Sequence, residues 1–190
     1  MHKTALGAAL AMVLSLTLVQ SVQAKGLKGV INTNFDFGGD EMLKVTVSNN
    51  SDTEVKAGEL MHINGGVSIP NDGTGDWTTE ITLGYKFRRV ENADGKLVWS
   101  RYPLELVEYR RVGNIRMGGG ITYHVKPKID GDGSFANADT TFDNAFGFVL
   151  QADYMLGEFN IGGRYTFIEY QGAGASINGN SVGLALGARF

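Results

Sequence analysis

Ser181-Val182-Gly183-Leu184-Ala185-Leu186-Gly187-Ala188-Arg189-Phe190 is the stretch whose alternation decides the fold. Successive side chains of a strand point to opposite sides. Val182, Leu184, Leu186, Ala188 and Phe190 therefore share one face, and Ser181, Gly183, Ala185, Gly187 and Arg189 share the other. In a water-soluble sheet the second face would be polar throughout. Here it is small or charged, which suits the crowded interior of a narrow barrel, while the first face is apolar to its last residue, which suits lipid.

The same period of two recurs backwards along the chain, and no stretch shows a helical 3.6-residue pattern. Residues 160–170 set Ile161, Tyr165 and Phe167 against Gly162, Arg164 and Thr166, and residues 145–156 set Phe146, Phe148, Leu150 and Tyr154 against Gly147, Gln151 and Asp153. Strands are likewise expected over 114–125, 97–110, 78–90 and 54–69, and from Lys28 through Phe37 with a possible continuation through 43–47. Together with 181–190 these make eight, each long enough for the roughly 9–11 residues that cross a bilayer at a tilt. Pro103 lacks an N–H for the ladder, so a bulge or local break is expected there. Segments 38–53, 91–96, 129–144 and 171–180 are rich in Gly, Asp, Asn and Ser and read as loops. The connections at 71–76, 112–114 and 157–159 are generally shorter, and tyrosines and phenylalanines near strand ends (Tyr85, Phe87, Tyr102, Tyr123, Tyr154, Tyr165) fit aromatic girdles. The fold expected is thus an all-β, eight-stranded, antiparallel up-and-down transmembrane barrel. A soluble eight-stranded barrel with its apolar faces turned inward is the rival, disfavoured because the opposite faces are too small and glycine-rich for a soluble exterior.

Residues 1–24 read as a cleaved leader: His2 and Lys3, an apolar run from Thr4 to Val19, then Val22-Gln23-Ala24. The barrel domain is expected over 25–190. The chain has no cysteine, 27 glycines and 3 prolines in 190 residues, so neither disulfides nor a collagen-like repeat shapes it. A net charge of −3 argues against a nucleic-acid footprint.

With its leader ending Val22-Gln23-Ala24, its eight alternating segments and its Val182-x-Leu184-x-Leu186-x-Ala188-x-Phe190 ending, the chain resembles the small outer-membrane β-barrels of Gram-negative bacteria, the OmpA transmembrane-domain and OmpX-like group. Gly84-Tyr85-Lys86-Phe87, Tyr102-Pro103-Leu104-Glu105-Leu106 and Gly118-Gly119-Gly120-Ile121-Thr122-Tyr123-His124 also resemble segments of uncharacterised members. The resemblance covers the whole mature chain. It implies an outer-membrane location with both termini periplasmic, contact with outer-membrane lipid and lipopolysaccharide, and assembly by periplasmic chaperones and the barrel-assembly machinery through Val182, Leu184, Leu186 and Phe190. It assigns no activity, because barrels of this kind serve as adhesins, enzymes, pores and structural proteins. A monomer is expected, with no cofactor, no metal and no nucleic-acid partner.

The residues expected in the lumen carry many charges: Glu80, Lys86, Arg88, Glu105, Arg116, Asp153, Arg164 and Arg189. An eight-stranded barrel has room for little beyond its own side chains, so these charges are expected to pair into a plug rather than line an ion path. His62 and His124 are the mature-chain histidines. A barrel hydrolase would need a nucleophile beside one of them and a carboxylate to orient it. The His-x-Ser spacing of deacylase-like barrels is missing, and Ser68 and Ser100 could approach a histidine only by an accident of folding. No catalysis is therefore expected. Asp130, Asp132 and Asp139 make an acidic stretch, and Asp130-Gly131-Asp132-Gly133-Ser134 carries oxygens at alternate positions that suit calcium but lacks the full twelve-residue pattern and its closing glutamate, so a solvated Gly/Asp turn is expected. Gly118-Gly119-Gly120 lies within a strand and is expected to make room for large lumen neighbours. A structural or surface-interaction role leads, with a narrow pore or, less favoured, a lipid-modifying enzyme as the alternatives.

Overall fold

The computed structural model describes residues 26–47, 51–92, 94–172 and 174–190, so the expected leader and the Asn49-Asn50 part of the first loop lie outside the described residues. Twelve strands run in chain order: β1 (Lys28–Phe37), β2 (Glu41–Val47), β3 (Ser51–Lys56), β4 (Leu60–Pro70), β5 (Trp77–Asn92), β6 (Gly95–Val112), β7 (Ile115–Gly133), β8 (Thr140–Thr141), β9 (Ala145–Leu156), β10 (Phe159–Gly172), β11 (Ala175–Asn178) and β12 (Ser181–Arg189). Strands β1, β4, β5, β6, β7, β9, β10 and β12 each pair antiparallel with the next. The last also pairs with β1, setting Val30 opposite Arg189 and Phe37 opposite Val182. The barrel is closed and has eight strands, and closure satisfies the backbone groups that an open edge would leave bare in lipid.

Its polarity is the reverse of a soluble barrel's. Phe148 and Leu150 are 57% and 54% exposed on the outside, in a band that includes Leu83, Leu104, Met117, Ile161, Val182 and Leu184. Inside, Arg116, Glu105, Asp153, Arg164 and Lys86 are buried. The soluble rival required the apolar faces inward, and the structure places them outward. Tyr85 packs against Phe87 and Tyr102, with ring centroids 5.2 and 5.3 Å apart, toward the loop end of the band. Tyr154 stands at the opposite rim, where its hydroxyl accepts a hydrogen bond from Asn114 Nδ2 (3.3 Å). The tight turns at that rim use Gly113 and Gly157 at φ +62° and +68°, a conformation that costs glycine little. Asp72 secures the remaining turn there by accepting from the Gly75 N–H (2.6 Å) and the Trp77 N–H (3.1 Å). Slight desolvation opposes ionisation, but these bonds outweigh it and hold the Asp72 carboxyl below its usual range.

Several segments differ from the sequence expectations. Residues 43–47 do not continue β1. They belong to β2, which pairs with β3 as a separate hairpin. The strand expected over 54–69 is interrupted at residues 57–59, where the chain turns from that hairpin into β4. The local break expected near Pro103 is present: the ladder with β5 lapses between Leu83–Leu104 and Lys86–Arg101 and resumes in the same register. The bulge itself lies on the other side, where Arg101 faces both Lys126 and Pro127 between the Ser100–Lys128 and Tyr102–Val125 pairs. The 91–96 segment, expected as a loop, is instead mostly strand. Strands β5, β6 and β7, of 16, 18 and 19 residues, outrun the roughly 25 Å lipid band and carry the sheet beyond it.

Candidate functional site: a paired lumen under a folded crown

The interior is built in tiers, each supplied by alternate residues of several strands. In the tier nearer the short turns, Arg116 of β7 donates through Nε (3.0 Å) and Nη2 (2.6 Å) to Asp153 Oδ2 of β9, and through Nη1 to Glu80 Oε1 of β5 (2.5 Å). Its guanidinium also lies 4.0 Å from the centre of the Tyr109 ring. Gly118 admits that ring, because a Cβ there would come within 2.4 Å of it. The glycine run thus makes room for a lumen neighbour as expected.

In the next tier Arg164 of β10 donates to Glu105 of β6 and to Gln151 Oε1 (3.3 Å), while Thr122 donates to Glu105 (3.1 Å). Higher still, Lys86 of β5 pairs with Asp36 of β1 at 2.7 Å, both almost wholly buried. His62 Nδ1 meets Asn34 Nδ2 at 3.2 Å. Near the top, His124 Nδ1 and the Tyr170 hydroxyl are 2.6 Å apart.

The loop end is closed by apolar packing. Val55 and Ala57, from the first loop, are fully buried against Leu97, Trp99, Ile129, Phe142, Ile168 and Tyr170. Trp99 stands edge-on to both Phe142 and Tyr170, centroids 5.3 Å apart in each case. The Ala57 carbonyl accepts from Trp99 Nε1 (3.0 Å) and Arg101 Nη2 (2.9 Å), and the Glu59 carbonyl accepts from Arg101 Nη2 (2.8 Å). The crown above is tied together by backbone bonds. Asp40 N–H donates to Asn178 O (2.7 Å), Gly58 N–H to Gly38 O (3.1 Å), and Asp143 N–H to Gln171 O (2.8 Å).

Of the eight charges expected in the lumen, Glu80, Arg116 and Asp153 form one group, Glu105 and Arg164 another, and Lys86 is paired with Asp36. Arg88 sits above the lumen, half-buried and 3.7 Å from Glu59 of the capping segment. Arg189 points inward but meets Met155 Sδ (3.7 Å) instead of a carboxylate. Asp36 and Tyr109 were signalled by their inward positions, although sequence alone gives no pairing for them. Arg101 shares the inward side of β6 with Glu105 and Tyr109, but its partners, the Ala57 and Glu59 carbonyls, depend on how the first loop folds.

The histidines are not beside the serines considered with them. Ser68 pairs in register with Glu80 while His62 pairs with Lys86, and Ser100 pairs with Lys128 while His124 lies opposite Pro103. In the third loop Asp139 accepts from the Gly131 N–H (2.7 Å) and Asp132 from the Gly133 N–H (2.8 Å). Asp130 pairs with Lys128 at 2.8 Å, and this bond raises the lysine's pKa.

Removing the Tyr170 hydroxyl leaves His124 Nδ1 without its buried partner. Tyr170→Phe is therefore expected to lower unfolding free energy by about 1–3 kcal/mol with the ring packing kept. Denaturant titration of the refolded barrel reads this, and an unchanged midpoint would show that the bond contributes nothing.

No protein-family model and no curated protein matches this chain. Solved structures do. Ail, the attachment invasion locus protein of Yersinia pestis, superposes with a TM-score of 0.50 at 13% identity, over 88% of this chain and all of that one. Its fold is that of the small eight-stranded barrels. Ail in complex with the heparin analogue sucrose octasulfate gives a TM-score of 0.51 at 12% identity, over 88% of this chain and all of that one. Neisserial surface protein A gives 0.49 at 11%, over 87% of this chain and 96% of that one.

Proposed function

We propose that this chain is a monomeric integral outer-membrane protein with both termini periplasmic, in which a closed barrel supports a folded outer crown that meets other surfaces, without catalysis. The observation that carries this reading is the combination of a charge-paired lumen with an apolar cap continuous with the crown. A conduit would need a wetted path, whereas here the first loop packs Val55 and Ala57 into the mouth. Charged side chains outside the apolar band meet lipopolysaccharide headgroups, and the barrel-assembly machinery reads Val182, Leu184, Leu186 and Phe190, three of which are strongly exposed.

The similarity to Ail, named for attachment and invasion, favours a surface-contact role. Its sulfated ligand is not carried over. The crown here exposes Asp94, Asp130, Asp132, Asp139 and Asp143, which favours a basic partner surface.

In planar bilayers the purified protein is expected to give no stable conductance steps. Discrete openings that change when Arg116 or Glu105 is neutralised would overturn the closed reading. Lipid A mass spectra are expected to be unchanged after overexpression, and a new acylation state would overturn the non-enzymatic one. Cells expressing the protein are expected to retain cationic, but not sulfated, beads, and equal retention of both would remove the crown from the proposal.

A further inference from the structure

A cavity of about 170 Å³ opens at the end of the barrel where both ends of the described chain lie, lined among others by Lys28, Ser68, Thr78, Arg111, Glu158 and Arg189. Three of these are cations and one is a carboxylate. That carboxylate is already engaged, because Lys28 Nζ donates to both Glu158 oxygens at 2.8 and 2.9 Å. Arg111 donates through Nε to the Gly113 carbonyl (2.7 Å).

Arg189 is the unusual member. It is 9% exposed, its Nε has no hydrogen-bond partner, and its Nη2 contacts a thioether. Its charged neighbours are Arg116, Glu80, Glu158 and Arg111, and Glu80 is held by Arg116 at 2.5 Å. A buried guanidinium without an anion is costly, and its planar fork of donors matches tetrahedral oxyanions. The buried Ser68 and Thr78 add hydroxyl donors to the wall.

We propose that this cavity is a binding site for a dissolved phosphate-class oxyanion, held by Arg189 with Arg111 and Lys28 at the rim. Its volume of about 170 Å³ is many times the roughly 10–15 Å³ that admits one water, so the five heavy atoms of phosphate fit within it.

The test uses the full chain folded in an uncharged maltoside detergent. Inorganic phosphate is titrated against chloride at equal ionic strength, with the Arg189 Nε–H resonance and binding heat as readouts. A saturable, phosphate-specific shift is expected. Arg189→Gln should weaken binding at least tenfold and Arg111→Gln about threefold, with heat-modifiable migration confirming that each barrel is closed. Arg111→Gln lies at the rim, so it tests the site even if Arg189→Gln does not fold. No saturable response, an equal response to chloride, or unweakened binding by the variants would overturn the proposal. Binding of a short-chain phosphatidic lipid but not of inorganic phosphate would place the site on lipid and overturn it as well.

Discussion

Arg116→Ala is expected to destabilise the barrel by about 3–5 kcal/mol, because it strands two buried carboxylates that one guanidinium now bridges. Glu80 and Asp153 are each within 2.6 Å of Arg116, and all three side chains are at most 4% exposed. The Tyr109 ring under the guanidinium would also lose its cation. The loss should therefore exceed that of a surface ion pair, whose worth is about 0–1 kcal/mol. Urea titration of protein refolded into vesicles, followed by the shift between folded and unfolded gel bands, measures it. Adding Glu80→Gln and Asp153→Asn to the alanine variant should restore much of the loss, since no stranded carboxylate then remains in the tier. A single-variant loss below about 1 kcal/mol would show that water reaches these groups, contrary to a closed lumen.

Leu150→Arg separates the lipid-facing reading from any soluble one by the size of its effect. Leu150 is 54% exposed and flanked in register by Gly119 and Tyr165, near the middle of the apolar band. In vesicles the substitution should cost about 2–4 kcal/mol, the range for arginine at the bilayer midplane. On a soluble surface the same change would be near neutral. Denaturant midpoints in vesicles read the difference. A cost that does not fall when the arginine is moved along β9 to Leu156, near the rim, would overturn the depth assignment.

Much of the architecture was legible in sequence because a two-residue period in a closed sheet leaves one question, which face meets lipid. The stretch from Val182 to Phe190 answers it, being apolar at every second residue while the facing positions are small or charged. Partners inside the lumen were less legible. Strand alternation places Asp36 and Lys86 inward, but their 2.7 Å contact spans β1 and β5 with β4 between them, and depends on the stagger at which the barrel closes. The cap was not legible for a different reason. Trp99 and Tyr170 look like any girdle aromatics, and what buries them is a turn of the first loop, at Ala57, far away in sequence.

The seam between β1 and β12 has a consequence for the order of events in making this protein. Gly29 and Phe190 exchange backbone hydrogen bonds of 2.8 and 3.0 Å, so the two ends of the described chain are zipped to each other. Nearly the whole polypeptide must therefore be present before any closed barrel exists. A chain stopped even one strand short presents two unsatisfied edges, at β1 and β10. Contacts this distant in sequence form slowly. Closure is thus a late event that waits for β12, and until then the apolar outer face needs protection from water.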